Sequence, residues 1–472
     1  MSTGTYYLLN ENICLRGYDK LPYALMRRPD NSVMFVDKTL FWALSLCDGQ
    51  TDLSLPLYPD AVYANIRELE GNKIIHRCEY GASLAEDQKY RLYPNRYIAS
   101  AHWSITGRCN FRCRHCYMSA PEAKLGELTH EQIMDIIDQF ENCGIQKTTL
   151  TGGEPLVRHD FEEIVRELSK RRIVITQIYS NGALVNEKLL DMLEHYGQKP
   201  EFNMSYDGDE GMHDWLRGIP HAGDMVLRAF DLCYDRGFPT GSELCLFQKN
   251  KQLLRQSLNT LGAHHVGSCK VNPVSESELW LRTTGENQTL TIEECYELYL
   301  DYLPHYFEDG EPIPLMLGGF FFGHGNGSKT YRIPAEKYPA DFDCSRMTLC
   351  GHARSQVYIS PESRMLPCLS LSSFDDIQEG FPKITDIGLQ AGLTDSSYMQ
   401  LIDMRLEEFF KVNRTCGACE HRVRCGGSCR ACALGLSGGK DLLASDPAAC
   451  LYFKGGYDKK IRQTLEGIAE IG

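Results

Sequence analysis

The stretch Cys109-Asn110-Phe111-Arg112-Cys113-Arg114-His115-Cys116 sets three thiols at C-x3-C-x2-C spacing, and Thr151-Gly152-Gly153-Glu154-Pro155 follows further along the chain. Three thiolates can hold three irons of a cubane 4Fe–4S group and leave the fourth iron without a protein ligand. An iron with an open position can bind and activate a small molecule, whereas a fully ligated cluster only passes electrons. A structural zinc site would need a fourth ligand. The nearest candidate, His115, adjoins Cys116, which is poor geometry for the same ion.

Outward from these motifs the chain alternates strand and helix patterns. Strands are predicted at 102–106, 148–151, 174–179, 202–206, 243–247 and 269–274. Between them lie amphipathic helices. One opens with the capping-box pattern Thr129-His130-Glu131-Gln132, a second is capped by Asn186 and stops at Gly197, and a third runs from Asp224 to Gly237. Six such repeats predict an α/β fold, a parallel, right-handed, partly open (β/α)6 TIM-type barrel over residues 96–325. Sites in such barrels collect at the C-terminal ends of the strands, where both motifs fall.

Residues 1–95 hold no clustered cysteine. Short strands are expected at Tyr6-Tyr7-Leu8-Leu9, Asn12–Arg16 and Lys73–His76, with helix stripes at Leu40, Phe41, Leu44, Leu46 and at Val62, Ile66, Leu69. The glycine-rich run Gly318–Gly327 has no clear helix behind it and is expected to be a flexible linker rather than a nucleotide loop. Nine of the 20 cysteines fall from Cys344 to Cys450, in the cysteine-rich segment 326–472.

The triad and the Gly-Gly-Glu-Pro run resemble those of the radical S-adenosylmethionine (SAM) enzymes. The resemblance implies that the open iron chelates the methionine end of SAM and that one-electron reduction releases a 5′-deoxyadenosyl radical, while the protein places the substrate hydrogen. Cys109, Cys113 and Cys116 would be the catalytic ligands. Gly152, Gly153, Glu154 and Pro155 would meet the SAM amino group, the glycines allowing close backbone approach. Ser180 and Asn181 match ribose-contacting positions. Ser205 and Arg217 match positions that reach the ribose or the methionine carboxylate, for which a planar guanidinium is suited. His115 stands where an aromatic side chain packs near adenine. Strand-end turn chemistry for the three small polar residues, an ion pair for Arg217 and a shielding role for His115 are the plainer alternatives.

The pattern Cys344-x5-Cys350-x17-Cys368, then Cys416-x2-Cys419-x5-Cys425-x3-Cys429, then Cys450 resembles the SPASM domain. The resemblance assigns Cys344, Cys350, Cys368 and Cys429 to one auxiliary 4Fe–4S cluster and Cys416, Cys419, Cys425 and Cys450 to another, for three clusters in all. Two four-cysteine zinc sites would use the same ligand count. The sequence departs from the pattern at Ser363, where a glycine is usual, and at Cys432, which is an additional thiol, either an alternative ligand or a buried bystander. Residues 1–95 resemble the winged-helix leader-peptide recognition element of peptide-modifying enzymes, which bind an extended peptide along a strand edge.

Together these features resemble the maturases of ribosomally made peptides, of the thioether-forming sactipeptide or ranthipeptide type. The resemblance implies a precursor peptide whose leader docks on residues 1–95 and a flavodoxin- or ferredoxin-type electron donor. Carbon–carbon or carbon–oxygen cross-linking, or another oxidation of the peptide, is the alternative product. Sulfatase-maturase chemistry is disfavoured, because Leu369 rather than Asp follows Cys368 and that family lacks the N-terminal unit. A non-catalytic iron–sulfur carrier or a peptide-binding protein is the reading from another class. The net charge of −14 disfavours nucleic acid as a partner. No apolar run approaches the ~20 residues of a membrane span. No secretory signal opens the chain, so a cytoplasmic protein is expected. There, clustered cysteines read as metal or redox sites.

Overall fold

The computed structural model describes residues 4–118, 120, 125–286, 288–334, 342–343 and 346–472. Cys344, expected as a cluster ligand, lies outside the described residues.

The N-terminal unit is built from six short strands and two helices. β1 (Tyr6–Leu9) pairs antiparallel with β5 (Ile75–Cys78). β2 (Ile13–Tyr18), β3 (Leu21–Arg27), β4 (Ser32–Phe35) and β6 (Arg91–Tyr93) form a second sheet in the order β4-β3-β2-β6. α1 (Lys38–Ser45) is capped by Asp37, whose carboxylate accepts from the N–H groups of Thr39 and Leu40. α2 (Asp60–Gly71) buries Val62, Ile66 and Leu69, the stripe that its sequence spacing predicts. Strands β3, β4 and β6 are additions to the sequence expectation. The unit is fastened to the barrel by Asn31, whose buried amide donates to the carbonyls of Gln146 (3.0 Å) and Arg172 (2.8 Å).

The barrel strands are β7 (Ser100–Ser104), β8 (Lys147–Thr151), β9 (Val174–Ser180), β10 (Glu201–Ser205), β11 (Thr240–Leu246) and β12 (Cys269–Pro273). Consecutive strands pair in parallel. The connecting helices are α3 (His130–Cys143), α4 (Phe161–Lys170), α5 (Glu187–His195), α6 (Glu210–Arg217), α7 (Ala222–Asp235) and α8 (Leu254–Ala263). α9 (Glu278–Thr284) and α10 (Ile292–Glu308) follow β12. The capping box at Thr129 and Gln132 forms in both directions, and Asn186 caps α5 by accepting from Leu189 N–H at 3.1 Å. Alternate residues of β7 divide between two environments. Ala101 and Trp103 join the core, with Trp103 against Phe140 of α3 at 5.1 Å, while His102 stacks on Tyr179 of β9 on the other face.

The segment expected as a linker is instead structure. β13 (Leu315–Leu317) adds parallel to β12 and turns through Gly319 into β14 (Phe321–Gly323), with Phe320 and Phe321 buried. Those two aromatics give the run an apolar face that its glycines conceal in the sequence. β15 (Thr330–Arg332) continues the sheet. β16 (Gln356–Ile359) pairs in parallel with the outer edge of β7, β17 (Met365–Leu366) pairs with β16, and β18 (Glu470–Ile471) pairs with β15. The result is a twelve-stranded mixed sheet whose parallel centre is the partial barrel. Among the described residues, no helix is long and apolar enough to cross a membrane.

Candidate functional site

The cysteine loop leaves the C-terminal end of β7 and is pinned on two sides. On one side Arg112 N–H donates to the Arg217 carbonyl (3.2 Å) and Arg114 N–H to the Leu216 carbonyl (2.9 Å), at the end of α6. The guanidinium of Arg114 donates to the Trp215 carbonyl and lies over its ring, 4.8 Å from the centroid. On the other side Gly153 N–H donates to the Thr106 carbonyl and Glu154 N–H to the Arg108 carbonyl. A Cβ on Gly152 would sit 2.3 Å from the Thr106 carbonyl oxygen, and one on Gly153 would sit 2.3 Å from that of Arg108. The two glycines are therefore needed for the Gly-Gly-Glu-Pro turn to lie flush against the cysteine loop.

Glu154 is buried at the centre of this turn. Its carboxylate caps the short helix at Pro155–Val157 by accepting from Leu156 N–H, and also accepts from Asn181 N–H (2.7 Å) and the Ser180 hydroxyl (3.1 Å). Burial pushes its pKa up to about 7, against these three donors, which pull it down. Ser180 and Asn181 are thus engaged with Glu154 at the end of β9. The Asn181 side chain turns to the loop and donates to Asn110 Oδ1 at 2.7 Å. Ser205 ends β10 beside Glu243 of β11. Arg217 is not a surface ion pair. Its Nε and Nη2 both reach Oδ2 of the fully buried Asp207, at 2.8 and 2.6 Å. Burial alone would raise the Asp207 pKa, but Arg217 overrides it and holds the carboxyl ionised. His115 is half-buried with its Nδ1 enclosed and unpartnered, and burial followed by the Arg217 charge lowers its pKa to about 3.

The thiols are supplied with N–H donors. Phe111 N–H points to Cys109 Sγ (3.3 Å) and Ala120 N–H to Cys116 Sγ (3.5 Å). Asn181 Nδ2 stands 3.9 Å from Cys109 Sγ, and Arg217 Nη1 3.9 Å from Cys113 Sγ. Burial raises the Cys109 thiol pKa to about 12, and Cys113 and Cys116 are close enough to add to the rise. Burial also raises Cys113, with Arg217 opposing. Thiols that need help to ionise, ringed by donors, fit ligands whose charge a bound iron–sulfur group would take up.

In the C-terminal region, Cys350, Cys368 and Cys429 neighbour one another, burial and then Cys429 raising the pKa of the first two, while Cys416, Cys419, Cys425 and Cys450 form a second neighbourhood. Cys432 is exposed rather than buried, and its thiol donates to Cys429, lowering that group to about 6. Ser363 takes the left-handed conformation (φ 65°) that glycine adopts most readily, and its hydroxyl is 2.8 Å from that of Thr385. Among the described residues, no three or more Cys, His, Asp or Glu side chains are drawn close enough to hold a single metal ion.

Asp207 is the residue that sequence reasoning misses. Its one signal is an acidic side chain directly after a strand end, in Ser205-Tyr206-Asp207-Gly208. Besides Arg217, it accepts Cys245 N–H at Oδ1 (2.9 Å), and its own N–H meets His213 Nδ1 (3.1 Å).

Residues 103–259 match the Radical SAM superfamily. The chain is 32% identical to the Fe-coproporphyrin III synthase of Methanosarcina barkeri over 157 residues, covering 32% of this chain and 37% of that protein. It is 25% identical to the antilisterial bacteriocin subtilosin biosynthesis protein AlbA of Bacillus subtilis over 278 residues, covering 57% of this chain and 54% of that protein. It therefore spans about a third and about half of the length of these relatives. Among solved structures, Streptococcus suis SuiB bound to its precursor peptide SuiA superposes with a TM-score of 0.64 at 14% identity, covering 94% of this chain and 99% of that one. The pinned three-thiol loop, the turn packed against it and the parallel sheet that carries both make residues 103–259 a radical SAM domain.

Proposed function

We propose that this protein is a radical SAM maturase that cross-links a ribosomally made peptide. The observation that carries the reading is the coexistence of the donor-ringed thiol triad with an N-terminal unit exposing Leu21, Met34, Trp42, Leu55, Leu57 and Tyr80. Exposed apolar side chains, with Met34 on the edge strand β4 itself, suit an extended peptide laid along a sheet. Among the described strands β4 pairs with β3 alone and so has an unpaired side, whereas the second side of β1 is met by the Asp48–Leu53 segment, through the Leu8–Asp48 bridge and Gly49 N–H on the Tyr7 carbonyl. SuiB and AlbA, by their descriptions a precursor-peptide binder and a bacteriocin biosynthesis protein, support a peptide substrate.

In this reading Cys109, Cys113 and Cys116 hold a 4Fe–4S cluster, and the neighbourhoods of Cys350, Cys368 and Cys429 (with Cys344) and of Cys416, Cys419, Cys425 and Cys450 hold two more. When bound, the iron–sulfur groups supply the electron that opens SAM and accept the one left over when the new bond closes. The chain's own part is placement. The Gly152–Glu154 turn and α6 fix the cysteine loop, Asn181 and Ser205 present polar groups at the strand ends, and residues 1–95 hold the leader. A Cys thioether is the proposed product, formed with loss of two hydrogens from the peptide, and the cytoplasm is the proposed setting. A flavodoxin- or ferredoxin-type protein is the proposed electron donor.

Anaerobic incubation with SAM, a low-potential reductant and a candidate precursor tests the reading. The expected result is 5′-deoxyadenosine together with a peptide lighter by two hydrogens. SAM cleavage with no change in any peptide encoded nearby would refute it. The Fe-coproporphyrin III synthase match supports a second reading, porphyrin modification. So does a 26% identity over 372 residues to the AdoMet-dependent heme synthase of Nitratidesulfovibrio vulgaris, which covers 74% of this chain and 91% of that protein. The exposed apolar N-terminal unit favours the peptide. Conversion of an iron porphyrin would establish the second reading instead.

A further inference from the structure

The ion pair at the end of α6 lies against the middle cysteine of the loop. Asp207 is fully enclosed, and its two carboxylate oxygens are divided between uses. Oδ2 takes Nε and Nη2 of Arg217, while Oδ1 takes the backbone N–H of Cys245. The Asp207 carbonyl is itself held by Asn250 Nδ2 at 2.9 Å. With two nitrogens tied, the third, Nη1, is the one 3.9 Å from Cys113 Sγ. Nor can the α6 terminus drift, because the carbonyls of Leu216 and Arg217 carry the loop's N–H groups, and a Cβ on Gly218 would meet the Arg112 carbonyl at 2.4 Å. A full positive charge and its counter-charge are thus fixed at known places beside one ligand sulfur, out of water, where charges act strongly.

We propose that Asp207 and Arg217 are a positioning pair that sets the reduction potential of the iron–sulfur group held by Cys109, Cys113 and Cys116. The proposal rests on the radical SAM reading of that loop. A cation near a cluster favours the state with the extra electron and raises its potential, and a nearby anion lowers it. Arg217 supplies the first effect directly at the Cys113 sulfur. Asp207 moderates it and keeps the guanidinium from turning away. The two residues therefore act with opposite signs, which a merely structural clamp would not do.

The test is a redox titration of full-length, anaerobically reconstituted protein, followed through the electron paramagnetic resonance signal that changes on adding SAM. Iron content is measured beside it. Arg217→Gln should lower the midpoint potential, Arg217→Lys should leave it near wild type, and Asp207→Asn should raise it. If Asp207→Asn fails to load iron, the Arg217 variants decide alone. An Arg217→Gln protein that keeps its iron and titrates with Arg217→Lys overturns the proposal, as do shifts of the same sign in Arg217→Gln and Asp207→Asn. A wild-type protein with no SAM-responsive signal removes the radical SAM reading itself, and the proposal with it.

Discussion

Cys113 and Cys429 are both cysteines read as cluster ligands, yet their surroundings differ. Cys113 lies on a loop held by other parts of the chain, tied to the α6 terminus through Arg112 and Arg114 and to the Gly152–Glu154 turn through Thr106 and Arg108, with a guanidinium at its sulfur. Cys429 is exposed, and its nearest thiol is Cys432, three residues on. The first neighbourhood is braced on both sides by backbone hydrogen bonds. The second gathers Cys350, Cys368 and Cys429 from segments separated by long stretches of chain, on short helices with little core of their own. The difference teaches that the loop carrying the triad is anchored by the fold around it, whereas the C-terminal thiols have fewer such anchors and, in the proposed reading, depend more on what they hold.

The strongest test of this contrast is removal of the triad. Cys109→Ala, Cys113→Ala and Cys116→Ala together should abolish 5′-deoxyadenosine formation while leaving the rest of the iron in place, whereas Cys416→Ala with Cys419→Ala should leave SAM cleavage measurable without peptide product. Equal loss of cleavage in both variants would erase the distinction. Next in size is chelation. Stripping iron should open residues 346–454 to limited proteolysis while the barrel core stays resistant, and uniform digestion would contradict the contrast.

A third test concerns Glu154 in iron-free protein. Its folded pKa of about 7 exceeds the ordinary carboxylate value, so the folded state binds the proton more tightly than the unfolded state does. The stability it contributes is whole at acid pH and is lost as pH rises from about 4.5 to about 7, by up to roughly 3 kcal/mol. Wild type minus Glu154→Gln, followed by chemical denaturation at stepped pH, should show that slope, and a flat difference would count against it. A smaller effect belongs to recognition. Trp42→Ala with Leu57→Ser should weaken precursor binding about tenfold, ~1.4 kcal/mol, with uncoupled SAM cleavage unchanged. Unchanged affinity would move the leader elsewhere. Smallest is Ser363→Ala, which keeps the left-handed backbone but loses the Thr385 hydrogen bond and should cost about 1 kcal/mol in thermal unfolding.

The barrel was legible in the sequence because each strand is followed by a helix with its own start or stop, as at Thr129, Asn186 and Gly237, so local chemistry and fold agree. The triad was legible from spacing alone. Other features were hidden for physical reasons. The β13–β14 hairpin reads as a linker because glycines dominate 318–327, and only the packing of Phe320 on Tyr296 and Tyr299 reveals a buried strand turn. Arg217 was visible as a guanidinium suited to a carboxylate, but its partner was not, since Asp207 meets it across ten residues and one helix. The glycines at 152 and 153 were legible as close-approach positions. What approaches them, the carbonyls of Thr106 and Arg108, is a tertiary fact.

The parallel pairing of β16 with β7 joins residues 256 positions apart, as in the Gln356–Ser100 contact. On a translating ribosome, β7 emerges on the order of tens of seconds before its outer neighbour. During that interval the strand that launches the cysteine loop offers a bare row of amides and carbonyls to solvent. The nascent chain is then a natural client for chaperones, and a message truncated ahead of codon 356 would yield an aggregating fragment rather than a working half.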